Sequence, residues 1–147
     1  MWYKKTFEEL TKDELHRIFQ ERVKVFVVEQ TCYYQEVDGQ DDDCLHIWKE
    51  EDGKIVTYCR IVPSVKDGDS YSIGRVLVEK ESRGRGLGRE IMERAIDIII
   101  EEIGAKTIGL HAQEYLRNFY RSFGFEEMTD VYLEDDIPHV DMLMHVR

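Results

Sequence analysis

The feature that most restricts what this chain can fold into is a glycine-rich turn, Arg83-Gly84-Arg85-Gly86-Leu87-Gly88. It stands directly between a strand-like and a helix-like segment. Upstream, Tyr71 to Val78 reads as an apolar strand; downstream, Arg89 to Ile103 carries Met92, Ile96, Ile99 and Ile103 at helical period, with Gly104 as a stop. Glycines without a Cβ let a ligand approach the backbone closely. A helix beginning there offers unpaired N–H groups and the positive end of its dipole. Together these make an anion site suited to a diphosphate, and Arg83, Arg85 and Arg89 add charge. Spacing excludes two other phosphate motifs. The dinucleotide fingerprint G-x-G-x-x-G would need glycine where Arg89 stands, and the P-loop would need Gly-Lys-Ser/Thr where Gly88-Arg89-Glu90 stands.

The rest of the chain supplies the frame. Met1 to Phe7 forms a first strand, and Thr11-x-x-Glu14 reads as a capping box. The helix it opens carries Leu15, Ile18, Phe19 and Phe26 on one stripe, with Arg22 on the same stripe. Val25 to Gln30 is β-branched and apolar, so the helix is expected to end early. Glu36 to Asp43 reads as a solvated acidic loop without the ligand spacing of a calcium-binding loop. Leu45 to Lys49 and Ile55 to Val62 are strands joined at Asp52-Gly53, a hairpin signal. Lys66-Asp67-Gly68-Asp69 turns into the strand that precedes the glycine-rich turn. After Gly104 come a strand at Thr107–His111, a helix at about Glu114–Ser122, and strands at Phe125–Tyr132 and Val140–Val146. Short connections make the early strands antiparallel, and the strand–helix–strand unit implies a right-handed parallel crossover. The expected fold class is mixed α/β (α+β): a mostly antiparallel central sheet with one β-α-β crossover and helices on both faces. A chain of 147 residues with 42% hydrophobic content suits one domain, 1–147.

Composition narrows the function. The net charge of −11 disfavours nucleic acid, which needs a basic face, and suits a cationic acceptor such as an amine. Cys32, Cys44 and Cys59 are odd in number and lack a C-x-x-C pair, so neither a disulfide framework nor a zinc site is indicated. No signal-like leader or membrane-length apolar run stands out, so a cytoplasmic protein, monomer or homodimer, is expected.

Two separated motifs then bring a family into view. Val76-Leu77-Val78 followed by Arg83-x-x-Gly86-x-Gly88 resembles the acetyl-CoA motif of the GNAT acetyltransferases, and Phe119-Tyr120-Arg121-Ser122-Phe123-Gly124-Phe125 resembles that superfamily's second signature. A narrower resemblance, to the ElaA group, is carried by Arg22 to Glu36 with Asp38, Asp41 and His46. It extends to Ile73-Gly74-Arg75-Val76, His111-Ala112-Gln113 and Pro138-His139. The resemblance covers nearly the whole chain. It implies acetyl-CoA as cosubstrate, with the strand at 71–78 splayed from that at 107–111 and the backbone of Val76, Leu77 and Val78 pairing with pantetheine amides. It also implies a turn spanning Arg83, Gly84, Arg85, Gly86, Leu87, Gly88 and Arg89 against the diphosphate. Many members carry Asn seven residues before the signature tyrosine; this chain has Gln113, whose amide makes the same hydrogen bonds at longer reach.

The implied chemistry is direct attack of an amine on the thioester in a ternary complex, with Tyr120 as general acid to the leaving thiolate. A non-catalytic acyl-CoA sensor on the same fold is the alternative. The base is open among Glu29, Glu36, His46, His111, His139 and a water chain. Charged residues where a core pattern wants apolar ones, Arg22, Glu29 and Arg75, need either ion-pair partners or a water-filled cleft. The acceptor pocket expected from them gathers Arg22, Phe26, Glu29, Tyr33, Tyr34, Glu36, Arg75 and His139 beside the thioester; a buried ion-pair network is the other reading.

Overall fold

A computed structural model describes residues 1–64 and 68–146, so the first half of the expected turn at 66–69 lies outside the described residues. Its centre is an eight-stranded sheet. The strands are β1 (Trp2–Thr6), β2 (Leu45–Glu51), β3 (Lys54–Pro63), β4 (Ser70–Val78), β5 (Thr107–Gln113), β6 (Glu126–Glu127), β7 (Tyr132–Glu134) and β8 (Ile137–His145). They run in the order β1-β2-β3-β4-β5-β8-β6, with β7 also on β8; among the described residues only β4 and β5 pair in parallel. The mixed α/β class expected from the sequence is the one observed.

Local chemistry places the elements. Thr11 caps α1 (Lys12–Val23), its hydroxyl accepting from Glu14 N–H while the Glu14 carboxylate accepts from Thr11 N–H. Asp52 and Gly53, both at positive φ, turn β2 into β3. β3 is buried without a break from Ile55 to Ile61, because both faces of the sheet are covered there. On one face α1 packs Ile18 near Trp48, Tyr58 and Leu77. On the other, α2 (Leu87–Asp97) packs Ile91, Met92 and Ala95 with Ile47, Cys59 and Ile61. α3 (Arg117–Arg121) adds Tyr120 to that second core. Among the described residues no helix is long and apolar enough to cross a membrane.

Four expectations change. The first helix does not stop at Val25: Lys24–Glu29 continues it as a π-helical turn, in which the Cys32 N–H reaches back to the Val27 carbonyl at 3.1 Å. Burial of Val25 against the sheet outweighs the weak helix preference of its β-branched run. The single strand expected at 125–132 is two short ones, β6 and β7, each pairing a different stretch of β8. The helix expected at about 114–122 is a 3-10 turn, Glu114–Leu116, followed by the short α3.

The fourth change is the largest. The acidic loop is solvated only in part: Val37, Gln40, Asp42 and Asp43 are exposed, but Glu36 and Asp41 are 4% and 2% exposed. They fold onto arginines buried in the frame. Arg22 of α1 donates to Glu36 at 2.8 Å and to Asp41 at 2.6 Å. Arg60 of β3 donates to Asp41 at 3.0 Å and Asp38 at 2.6 Å, and Arg75 of β4 to Glu36 at 2.7 Å and Asp38 at 3.3 Å. Charges this buried persist only when paired.

Removing one member should therefore be costly. Arg22→Ala, which takes one of two arginine partners from each of Glu36 and Asp41, is expected to lose about 3 kcal/mol in urea unfolding. The acid response follows from the same groups. Burial opposes ionisation of Asp38, but hydrogen bonds from Arg60 and from the Gln40 N–H hold its carboxyl well below the usual carboxylate range. Glu14 and Glu79 are lowered in the same balance of burial against hydrogen bonds. A carboxyl lowered by folding stabilises above its unfolded pKa of about 4, and that contribution drains away as pH falls towards the folded value. The urea midpoint is expected to hold steady above about pH 5 and to fall progressively below about pH 4. Asp38→Asn should flatten that acid limb.

Candidate active site

The site begins where two strands separate. β4 and β5 pair over Ser70–Thr107, Tyr71–Ile108 and Ser72–Gly109, and no further. Beyond those rungs β4 continues to Val78 and β5 to Gln113. The separation coincides with a bulge. Tyr58 faces Leu77 but Arg60 faces Gly74, so Arg75 and Val76 together oppose Cys59. Arg75 adopts φ +53, a left-handed conformation uncommon outside glycine. Its guanidinium, held by Glu36 and Asp38, fixes the residue in that state.

The gap opens into a cleft of about 760 Å³. Along it lie β4 from Ile73 to Val78, Leu110, His111 and Gln113 of β5, and Phe119 and Tyr120 of α3. At its far end stand Arg83, Gly84, Gly86, Leu87 and Gly88. Gly86, at φ +78, is the N-cap of α2. The first helical amides after it have no intrahelical acceptor and point out of the helix end. Tyr120 is 7% exposed and packs edge-on against Phe119 and Phe125. Burial pushes its phenol up to about 12.

The sequence-stated residues divide sharply. Val76, Leu77, Val78, Arg83, Gly84, Gly86, Leu87, Gly88, Gln113 and Tyr120 line the cleft, as do Phe26, Glu29, Tyr34, Arg75, His111 and His139. Arg85 and Arg89 do not: Arg85 reaches Glu51 at 2.8 Å, and Arg89 bonds Ser122 and stacks on Phe123. Arg83 is itself paired with Glu29 across the mouth of the cleft at 2.6 Å. Arg22, Glu36 and His46 lie behind the wall rather than on it. His46 is fully buried between the Tyr58 hydroxyl at 2.7 Å and the Asp41 carbonyl at 3.1 Å, and burial lowers its pKa. Tyr33 is 90% exposed and faces away from the cleft lining. Of the misplaced charges, Arg22 and Glu36 form a buried ion-pair network, and Arg75 carries that network to the cleft surface.

Some lining residues lacked a sequence argument. Arg60 sits inside an apolar strand exactly as Arg75 does, so the same signal was available. Glu134 and Asp135 arrive through the β7–β8 turn, where Asp135 and Asp136 take φ +50 and +63; three consecutive acidic residues, 134–136, were the only hint. Among the described residues no cluster of three or more His, Cys, Asp or Glu side chains is placed to hold a metal ion.

Known proteins share this arrangement. The family model described as an acetyltransferase (GNAT) domain matches residues 9–146. The ElaA protein of Escherichia coli is 40% identical over 147 residues, covering 99% of this chain and 96% of that protein. Its crystal structure superposes with a TM-score of 0.92 over 99% of each chain, at 38% identity. An acyl-CoA N-acyltransferase from Pseudomonas aeruginosa superposes with a TM-score of 0.93 at 41% identity, over 98% of each chain. A UPF0039 protein of Schizosaccharomyces pombe is 42% identical over 144 residues, covering 97% of this chain and 95% of that one.

The turn at the cleft's far end gives a direct mutational contrast. A Cβ on Gly86 meets nothing within 4 Å, so only its backbone conformation demands glycine. Gly86→Val is expected to cost about 1–2 kcal/mol in urea unfolding through left-handed strain. Gly88→Ala, whose Cβ meets Phe119 and Val78 at an ordinary 3.8 Å, should leave the midpoint nearly unchanged.

Proposed function

The chain belongs to the GNAT acetyltransferase family, and on that premise we propose that it transfers an acetyl group from acetyl-CoA to the amine of a small molecule. The observation that carries the reading is the parting of β4 from β5 in front of the α2 N-terminus. Backbone amides and carbonyls left unpaired in such a gap need partners. A pantetheine arm, with its own amides, supplies them as an added strand would. The αL glycine and the first amides of α2 then receive the diphosphate, with Arg83 released from Glu29 to pair with it. Gln113 stands on β5 with its amide available to the arm.

At the reacting end this chain's groups have separate tasks. An N–H of the 76–78 stretch stabilises the oxyanion as the amine nitrogen bonds to the thioester carbon. The C–S bond then breaks, and Tyr120 gives its proton to the departing thiolate. A phenol raised by burial stays protonated at neutral pH, as an acid must. The choice of an amine acceptor draws support from the lining carboxylates Glu29, Asp38, Glu134 and Asp135 and from the net charge of −11.

Three experiments test this. Release of CoA thiol from acetyl-CoA is measured with a panel of small amines; amine-dependent release is expected, and none with any amine would remove the transfer reading. Tyr120→Phe keeps the edge-on packing and removes the hydroxyl. It is expected to lower turnover on the order of a hundredfold while acetyl-CoA affinity, read by calorimetry, stays within a few-fold. Gly86→Val should do the reverse to binding, weakening acetyl-CoA at least tenfold in a protein that still folds.

A further inference from the structure

The base that takes the proton from the acceptor is not assigned by the family motifs, and the sequence offers five ionisable candidates, Glu29, Glu36, His46, His111 and His139. Geometry removes four. His46 is fully buried with both ring nitrogens engaged. Glu36 is buried, and its carboxylate is occupied by Arg22, Arg75 and the Tyr34 hydroxyl. Glu29 meets Arg83 of the glycine-rich turn, which puts it at the diphosphate end of the cleft whether or not that pair is kept. His139 is 8% exposed, its Nδ1 donates to the Ile137 carbonyl at 2.7 Å, and its Nε2 faces Glu134 at 3.5 Å.

His111 remains, and its placement is specific. Parallel pairing ends at Ser72–Gly109. Two residues further along each strand stand Gly74 and His111, so His111 occupies the first same-facing position past the point of separation. That is the level of the Arg75 bulge, where the acyl end of an arm laid along β4 from the Gly86 turn would arrive. Across the antiparallel pair, His111 faces Asp141 of β8. The two side chains meet with Nδ1 2.6 Å from Oδ1. Tyr132 of β7 also donates its hydroxyl to that Asp141 oxygen and stacks on His139. Burial opposes the Asp141 charge, but the hydrogen bonds from Tyr132 and His111 hold its carboxyl below the usual range. An ionised Asp141 takes the Nδ1–H, which leaves the Nε2 lone pair free. The His111 side chain is 64% exposed, and Nε2 has no protein partner among the described residues.

On the acetyl-transfer reading above, we propose that His111 is the general base for the acceptor amine and Asp141 its positioning residue, braced by Tyr132. The proton balance closes. Nε2 takes one proton from the ammonium, and the freed amine bonds to the thioester carbon. When the C–S bond breaks, Tyr120 protonates the thiolate and is reprotonated by the proton remaining on the substituted nitrogen. One proton leaves to solvent through His111 for each thiol released. The ionisable groups facing His111 are Asp141 and His139 of β8 and Tyr132 of β7, with Glu134 of β7 beyond His139.

The test follows thiol release from acetyl-CoA, with the best amine of the panel, across pH. His111→Gln is expected to lower kcat/KM on the order of a hundredfold at neutral pH. The deficit should shrink by about tenfold per pH unit as solvent deprotonates the amine in place of the imidazole. Because His111 is exposed, the variant's urea midpoint and its acetyl-CoA affinity should match the parent. Asp141→Asn removes the charge that holds the Nδ1–H, so kcat should fall about tenfold while KM for the amine stays within a few-fold. A His111→Gln rate within threefold of the parent at neutral pH overturns the proposal. So does a loss that is the same at every pH, which would make His111 a contact residue only. Absence of thiol release in the unmutated protein is a different failure, removing the transfer reading itself before any variant is made.

Discussion

The departure of β4 from β5 is the constraint on which the rest of this structure depends. A parallel pair that stops after three rungs leaves polar backbone without partners, an arrangement sheets do not adopt freely. Here a bulge holds it open. Arg75 sits at φ +53 because Glu36 and Asp38 grip its side chain, and those carboxylates are gripped in turn by Arg22 and Arg60. The chain of charges runs from the first helix through a folded-in acidic loop and the central strand to the bulge. Each charge would be a liability alone, and together they fix one backbone distortion in the wall of the cleft.

That wall separates two kinds of chemistry. Tyr120 reaches the cleft from the α2 side of the sheet, within the apolar cluster of Phe119 and Phe125, where burial keeps a phenol protonated. His111 reaches it with Asp141 and Tyr132, in a polar and open setting. The proposed donor for the leaving group and the proposed acceptor for the attacking group thus lie on different packing layers, and neither shares the other's environment. The Arg83–Glu29 pair closes the far end of the same cleft.

Much of this was legible in the sequence where the signal is local. The Thr11–Glu14 capping box, the Asp52-Gly53 hairpin, the glycine-rich helix start and the alternation of Val140, Met142 and Met144 each lie within a few residues, and each became the expected element. The acidic loop was misjudged because its partners lie far away in sequence: Glu36 is 14 residues from Arg22 and 39 from Arg75. No window on the loop itself reports that. The π-helical continuation at Lys24–Glu29 failed for a related reason, since burial of Val25 against the sheet decides it and propensity does not. Arg85 and Arg89 share the motif with Arg83, yet the helix start turns them towards Glu51 and Ser122, and a linear motif carries no side-chain direction.

The central claim is that the gap between β4 and β5 is filled by the arm of acetyl-CoA acting as a strand. Amide hydrogen exchange, read residue by residue with and without acetyl-CoA, tests it most directly. The account predicts slowed exchange concentrated in Val76–Val78, in the facing part of β5 up to Gln113 and in the first turn of α2, with little change in β1 and β2. Saturating acetyl-CoA that leaves the amides of 76–78 exchanging as fast as in the free protein, while protecting another surface, would contradict it.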